Sequence, residues 1–520
     1  MRNQFFHIFR KDIHQRWREI VLSFALIVAY GWHEATRSLT SADMPDAFSF
    51  LWQMLPLLLV VSWALLILRS AQAECLVGDR QFWVTRPYEW KQLLAAKFLF
   101  MAVFINVPLF ILQVFLLLMA GFPPTSHLAG LFGLQLLWIL ILILPVVTLA
   151  AVTASIGQFM LSILGVLLYA IALQSVVPPA GVSGLYAVPG WLSILVIAGA
   201  GLVVVLQQYA RRRTAPSRIL LLSAGALVPI IIFATPYRIL IERAYPLATA
   251  RPLPVQLAFD PAKPASNEGG YPEKNKVHIR IPLLVSGVPE GNRVTAAGVT
   301  VSIQAPGGQQ WSSGWHNAHG FFPPNRPHSQ TFITLDRDFF DRVKSSPAKV
   351  QITYALEPAH ARDSVRIVAQ AGEFSVPGEG RCTFSPFQPG MIQCVFPLKA
   401  PHMSVGVKSD EITCAPRQNE TPLPPSLIGH GWVWSSSVFG VEFRISPVIL
   451  RPLWVNEWGE VKTRYFYPGV CPGTPLTMFT NWEDLPRTRI ELEIDSIRLA
   501  DYQLKDTRGE GVGGFDVSVP

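Results

Sequence analysis

Seven apolar stretches divide the first 240 residues of the chain, at 19–32, 48–68, 98–122, 128–156, 159–177, 190–209 and 219–241, and almost no charge falls inside them. A helix needs about 20 apolar residues to cross ~30 Å of hydrocarbon, so each stretch reads as a membrane span. The first is short. Just upstream, Phe6, Phe9, Ile13, Trp17 and Ile20 recur at helical spacing, opposite Arg10, Lys11, His14 and Arg18. Residues 1–18 therefore read either as an amphipathic helix lying in the membrane interface, apolar face toward the acyl chains, or as an extension of the first span. The fourth and fifth stretches are parted only by a tight turn expected near Gly157.

Beyond Ile241 the pattern changes. Residues 242–275 are rich in proline and small residues and read as a linker. Short alternating runs follow at 277–285, 299–304, 349–356, 364–369 and 489–499, separated by turn signals such as Ala305-Pro-Gly-Gly308, with one helical pattern at 336–344. Strands at this spacing predict an all-β, immunoglobulin-like sandwich region of two modules, 276–378 and 379–520, divided near 376–381. The fold class expected is thus an α-helical polytopic membrane domain of six to seven spans, 19–241, followed by an extracytoplasmic β region.

Charge adds an orientation. The first 250 residues hold 17 Lys/Arg against 9 Asp/Glu, while the remainder hold 26 of each, so the positive excess belongs to the membrane half. It gathers before the first span (Arg2, Arg10, Lys11, Arg16, Arg18), between the second and third (Arg69, Arg80, Arg86, Lys91, Lys97) and between the sixth and seventh (Arg211, Arg212, Arg213, Arg218). The opposite loops hold only Arg37. The positive-inside rule then places the N-terminus in the cytoplasm and, after seven crossings, the β region outside a plasma or inner membrane. Charge at this location calls for a lipid bilayer as partner and not for nucleic acid. No cleavable signal peptide is expected, since the run after Arg18 lacks a small-residue cleavage site. Cys382, Cys394, Cys414 and Cys471 fall on the expected exterior side, where disulfides persist. Of their three pairings, Cys382–Cys394 with Cys414–Cys471 is favoured, because the first pair flanks an expected hairpin; four buried free thiols are the alternative. No two of them form a C-x-x-C, so no metal site is expected.

The chemistry of the spans is mostly negative. From Phe98 to Ala210 there is no Asp, Glu, Lys or Arg, which argues against a proton-coupled carrier. The interior polar groups are amides (Asn106, Gln113, Gln135, Gln158, Gln174), residue types that tie helices together by hydrogen bonds. His33-Glu34-Ala35-Thr36-Arg37 begins like a zinc-protease motif but ends in arginine, and no nucleophile elbow occurs. His316, His319 and His328 stand in a proline-rich stretch and read as surface histidines. A phosphate-binding G-x-x-x-x-G-K-[ST] loop is also missing, so any ATP-driven work needs a second polypeptide. The polar stretch 69–97 is unusually aromatic, with Phe82, Trp83, Tyr88 and Trp90 among arginines. It reads equally as a docking surface or as an interfacial aromatic belt.

Three features together resemble the permease subunits of type-2 ABC exporters. They are the amphipathic start with Phe9-Arg-Lys-Asp12; the loop Gly78-Asp-Arg-Gln-Phe-Trp-Val-Thr-Arg-Pro87 followed by Leu93-Leu-Ala-Ala-Lys97; and six apolar spans nearly free of ionisable groups. The loop is similar to the family's E-F-W-x-T-R-P … L-L-x-x-K pattern, with Gln81 in place of the common glutamate. The resemblance implies that the loop between the second and third spans forms a coupling helix seated on a cytoplasmic ABC ATPase. By position Glu74, Asp79, Arg80, Phe82, Trp83, Thr85, Arg86 and Pro87 would make that contact. It further implies a second copy of the chain or a homologous permease as partner. This chain would be no enzyme and bind no cofactor itself, the ATP and magnesium being used by the ATPase. The seventh stretch and the β region depart from the family. They leave open a second reading, a multi-span membrane anchor presenting a sensing or adhesion domain; an intramembrane enzyme would need paired catalytic residues that the spans lack.

Overall fold

The computed structural model describes residues 2–39, 46–73, 89–176, 187–247, 255–262, 275–288, 293–318, 320–322, 328–368, 373–376, 380–384, 391–397, 403–409, 436–438, 441–454, 473, 475–482 and 486–504. Among the described residues six helices are long and apolar enough to cross a membrane: Met54–Gln72, Trp90–Met119, Pro124–Val152, Ile156–Leu173, Val188–Arg211 and Thr214–Ala234. These mark the chain as a membrane protein. The seventh expected stretch, 19–32, lies in helix α1 (Arg2–Leu39), where Glu19 on one side and His33, Glu34 and Arg37 on the other keep the apolar run short. The expected interfacial segment 1–18 is continuous with it. The two halves form one helix bent at Arg16, whose backbone (φ −120°, ψ 20°) leaves the helical region. The apolar face of this segment turns partly toward protein: Ile8 is buried, and Phe9 stacks on Phe104, with ring centroids 6.2 Å apart.

The next spans are built around prolines. Helix α2 (Asp46–Gln72) contains Pro56. Helices α3 (Trp90–Met101) and α4 (Val107–Met119) join through a π turn, as do α5 (Pro124–Trp138) and α6 (Leu144–Val152). In each case the N–H just before a proline reaches back five residues, Val107 to the Ala102 carbonyl and Leu144 to the Ile139 carbonyl. Pro108 and Pro145 have no N–H to offer, and their rings would strike the carbonyl four residues back. One extra residue in the turn gives room for the ring without ending the helix. The break expected near Gly157 falls slightly earlier, at Thr153, whose backbone is extended. Helix α7 (Ile156–Val176) then runs with Leu161, Leu164, Leu167, Leu168 and Ile171 all exposed. Exposing such side chains to water forgoes about 1.5–3 kcal/mol each, so an apolar surrounding suits this helix. Helix α8 (Ala187–Arg211) packs on α6 and on α9 (Thr214–Ala234). The last expected span, 219–241, is cut at Pro236 and continues as a separate short helix, α10 (Tyr237–Ala244).

The C-terminal region is a set of antiparallel sheets. Strands β1 (Gln256–Phe259), β2 (Lys276–Ser286) and β6 (His328–Asp336) form one sheet in the order β1–β2–β6. A larger sheet runs β11 (Met403–Ser409), β15 (Pro475–Trp482), β7 (Pro347–Val368), β3 (Arg293–Ala305), β4 (Gln309–Ser312); β16 (Thr488–Arg498) also pairs with β7, and β5 (Gly320–Phe322) with β3. The alternating residues Val277, Ile279, Ile281 and Leu283 of β2 share one buried core with Val301 and Ile303 of β3, Val350 and Ile352 of β7, and Ile490 and Ile494 of β16. Helix α11 (Arg337–Val343) adds Phe339 and Phe340 to it. A third sheet has the order β14 (Val448–Trp454), β10 (Met391–Pro397), β9 (Gly380–Phe384), β8 (Glu373–Val376), and β12 (Ser436–Val438) pairs with β13 (Val441–Phe443).

Two features differ from the expected division. The separate runs 349–356 and 364–369 belong to one 22-residue strand, β7, held by β3 and β16 in its first half and by β15 in its second. Strand β16 returns from the end of the chain into the first core, so the boundary near 376–381 is crossed. The expected linker is partly structured as well. Strand β1 lies within it, and Tyr245 is buried with its hydroxyl donating to Glu357 Oε1 at 2.6 Å.

Candidate functional site

The residues that the resemblance assigns to ATPase contact, Glu74, Asp79, Arg80, Phe82, Trp83, Thr85, Arg86 and Pro87, lie outside the described residues. What the structure places is the frame on either side of them. The last turn of α2 leads into the loop and the first turns of α3 lead out of it. Between these two ends sits the bend of α1.

Three charged side chains are buried there. Asp12 is 0 % exposed, Arg16 4 % and Lys97 1 %. Asp12 Oδ1 accepts from Arg16 NH1 at 2.8 Å, and Asp12 Oδ2 from Lys97 Nζ at 2.7 Å. Arg16 NH2 also donates to the Arg69 carbonyl at 2.7 Å. That carbonyl belongs to the last turn of α2, where the macrodipole places negative charge, and it also accepts from the Ala73 N–H at 3.2 Å. On the rim, Arg69 NH1 meets Glu19 Oε1 at 2.6 Å. One carboxylate thus holds a cation from its own helix and another from α3, while its arginine partner holds the end of α2. The i, i+4 spacing of Asp12 and Arg16 sets the first pair. The second joins positions 85 residues apart.

The same end of the bundle is tied elsewhere by cations and amides on helix C-termini. Arg218 at the start of α9 donates from Nε (3.3 Å) and NH2 (2.9 Å) to the Val152 carbonyl that ends α6. Gln72 Nε2 reaches Thr153 Oγ1 at 3.3 Å. From the sequence, Arg16, Arg69, Lys97 and Arg218 are expected as orientation charges. The structure gives each a fixed partner, and the cluster itself was missed. A signal was present: Asp12 is the only acidic residue before Glu19, and Arg16 follows it one helical turn later.

The opposite end of the spans meets the β region. Lys97 and Leu117 are about 20 residues apart on one continuous helix, a rise of roughly 30 Å. Leu117, Ala120, Phe122 and Leu131 pack with Val395 and Val448 from the third sheet. Just inside this contact, three of the amides noted in the sequence form a relay. Asn106 Nδ2 donates to Gln135 Oε1 (3.0 Å), Gln135 Nε2 to Gln113 Oε1 (2.9 Å), and Gln113 Nε2 to the Ile445 carbonyl (3.0 Å). Trp138 Nε1 donates to the Arg444 carbonyl at 3.1 Å. The bend 444–447 between β13 and β14 therefore enters the bundle, and the Ile445 side chain joins its core. Gln158 instead accepts from the Ala154 N–H at the start of α7.

In the β region, Cys382 is buried and disulfide-bonded, and in the β9–β10 ladder it stands directly opposite Cys394. Cys414, Cys471 and Cys75 lie outside the described residues. Among the described residues no three His, Cys, Asp or Glu side chains gather as a metal site would require. No protein-family model, curated protein or solved structure matches this chain.

Proposed function

We propose that the chain is the permease subunit of an ATP-driven exporter of the type-2 ABC kind, paired with a cytoplasmic ATPase and with a second permease. The observation that carries this reading is the Asp12–Lys97 contact. The two stretches that resemble the family outside the loop, Phe9–Asp12 and Leu93–Lys97, meet in space at 2.7 Å. Through Arg16 the same cluster grips the end of α2. Both helices flanking residues 74–88 are therefore fixed to α1.

In this account the loop sits in a cleft of the ATPase. ATP binding closes the ATPase dimer and pushes the loop as a rigid element. The buried cluster passes that movement to α1, α2 and α3 together, so the halves of the dimer rock and alternate their access. The basic bundle end faces the cytoplasm, and the β region, of immunoglobulin-like type, lies outside. There Cys382–Cys394 is a cross-strand disulfide; directly opposed residues of an antiparallel pair have Cα separations of about 4.5–5.5 Å, inside the range a disulfide bridges.

A second reading, a multi-span anchor presenting a sensing domain, is favoured by the seating of residues 444–447 in the bundle. The test is a detergent pull-down of the tagged chain with mass spectrometry of bound proteins. The exporter reading expects an ATPase with the wild type and its loss with Trp83→Ala/Arg86→Ala. Absence of any ATPase, under conditions that keep a known complex intact, would favour the sensor.

A further inference from the structure

We infer that Gln113 and Trp138, the donors that hold residues 444–447, form a binding site for the main chain of a peptide, and that this segment of the chain is its resident occupant. The inference deepens the export reading by naming a substrate class; the site itself rests only on the contacts above.

Recognition here is by backbone. Two consecutive carbonyls, of Arg444 and Ile445, are held by side-chain donors from two helices, Trp138 on α5 and Gln113 on α4. Strand β13 leads the segment in against α5 and α8. The donors are uncharged, and residues 98–210 hold no Asp, Glu, Lys or Arg. Such a site suits neutral acceptors and offers no cation to a phosphate or carboxylate. Amide carbonyls spaced along a chain are the ligand that fits.

The amide relay gives the second argument. Its N–H bonds all run one way, Asn106 to Gln135 to Gln113 to the Ile445 carbonyl. Gln113 is fully buried, so without an acceptor at the end its amide would lose a hydrogen bond where water is excluded, a penalty of about 1–3 kcal/mol. Simple docking of the β region would need only the apolar rim of Leu117, Phe122, Val395 and Val448. A buried amide relay aimed at a main-chain carbonyl is more than that rim requires. A spare donor stands beside it. Trp63, edge-on to Trp138 at 5.7 Å between centroids, has a buried indole N–H with no hydrogen-bond partner among the described residues. A peptide longer than the resident bend could present it with a third carbonyl.

The consequence is competition: an incoming peptide takes the donors and displaces 444–447, opening the β-region end of the bundle. The experiment uses the full-length chain in lipid nanodiscs carrying Ile445→Cys, with maleimide modification read at that position by peptide mass spectrometry. Ser312→Cys, on an exposed strand, serves as the fast control. Modification of the buried position should be slow, and excess decapeptide of sequence 441–450 should accelerate it about tenfold, the scale of one buried hydrogen bond. A neutral oligosaccharide and anionic lipid should leave it unchanged. Gln113→Leu should raise the resting rate and abolish the peptide's effect. The inference is overturned by modification as fast as at the control, by no response to peptide, or by the same response with Gln113→Leu. A benzophenone-bearing decapeptide added to the wild-type chain gives an independent reading, and adducts on α4 or α5 are expected. Adducts confined to other elements would overturn the proposal. Neither result depends on an ATPase, so failure of the pull-down would leave this site standing.

Discussion

Asp12 neutralises two cations that water cannot reach. Removing one member of a buried ion cluster leaves uncompensated charge, which costs about 3–5 kcal/mol, a large part of the stability of an ordinary domain. Asp12→Asn should therefore lower the thermal midpoint of the purified protein sharply, whereas Asp12→Leu combined with Lys97→Met should recover part of the loss. A double variant no better than Asp12→Asn would show that the pair is not what holds α1 to α3. In the β region, Tyr354 lies in the core beside Thr331, and burial pushes its hydroxyl up to about 12. The folded chain then keeps a proton that the unfolded chain loses above pH ~10. Stability should be level below pH ~10 and fall by about 1.4 kcal/mol per unit as pH rises toward 12. Tyr354→Phe should cost about 1 kcal/mol at neutral pH and flatten that component of the alkaline slope in parallel denaturation curves. Equal slopes for both proteins would remove Tyr354 as the cause. At this scale the sequence was only half readable. The amides within the spans announced helix-linking bonds because nothing else polar surrounds them. Arg16 and Lys97 read as orientation charges and Asp12 as the end of a motif, since their burial together depends on a contact across 85 residues.

The helices were legible wherever charge was absent, because hydrophobic length is a property of the run itself. Their ends were less so. The fourth stretch reads 128–156, yet the helix stops at Val152, where Arg218 from another span takes the last carbonyl. The final stretch ends early at Pro236 for a local reason visible in the sequence, and α10 turns away to bury Ile241 and Tyr245 against Ala297 and Ala355. Strand β7 was split because its central residues do not alternate cleanly; its length comes from different partners on each half. Close helix packing makes a sharper test. A Cβ on Gly201 of α8 would lie 2.9 Å from Thr148 Oγ1 on α6, while one on Gly199 would meet nothing within 4 Å. Gly201→Val should destabilise by about 1–3 kcal/mol through overpacking, and Gly199→Ala should be neutral or slightly stabilising. Equal effects at the two positions, measured by thermal unfolding in detergent, would contradict the α6–α8 contact.

At the scale of the whole molecule the spans join two different ends. One carries buried cations that fix α1 to α2 and α3; the other receives a bend of the β region. Positive charge in the sequence marks the first end, though not the buried cluster there. The second had no sequence signature, because residues 444–447 read like any turn between strands and their seat is formed by side chains more than 300 positions away. A coupled exporter needs both ends linked through the helices, with the motor touching the basic one. The most direct measurement is site-specific photo-crosslinking in membranes that contain the candidate ATPase, with a photoreactive residue at position 83 or, for comparison, at position 122. An ATPase adduct from position 83 and none from position 122 is the result this account predicts. An adduct from position 122, or none from 83 while the ATPase still co-purifies, would contradict it.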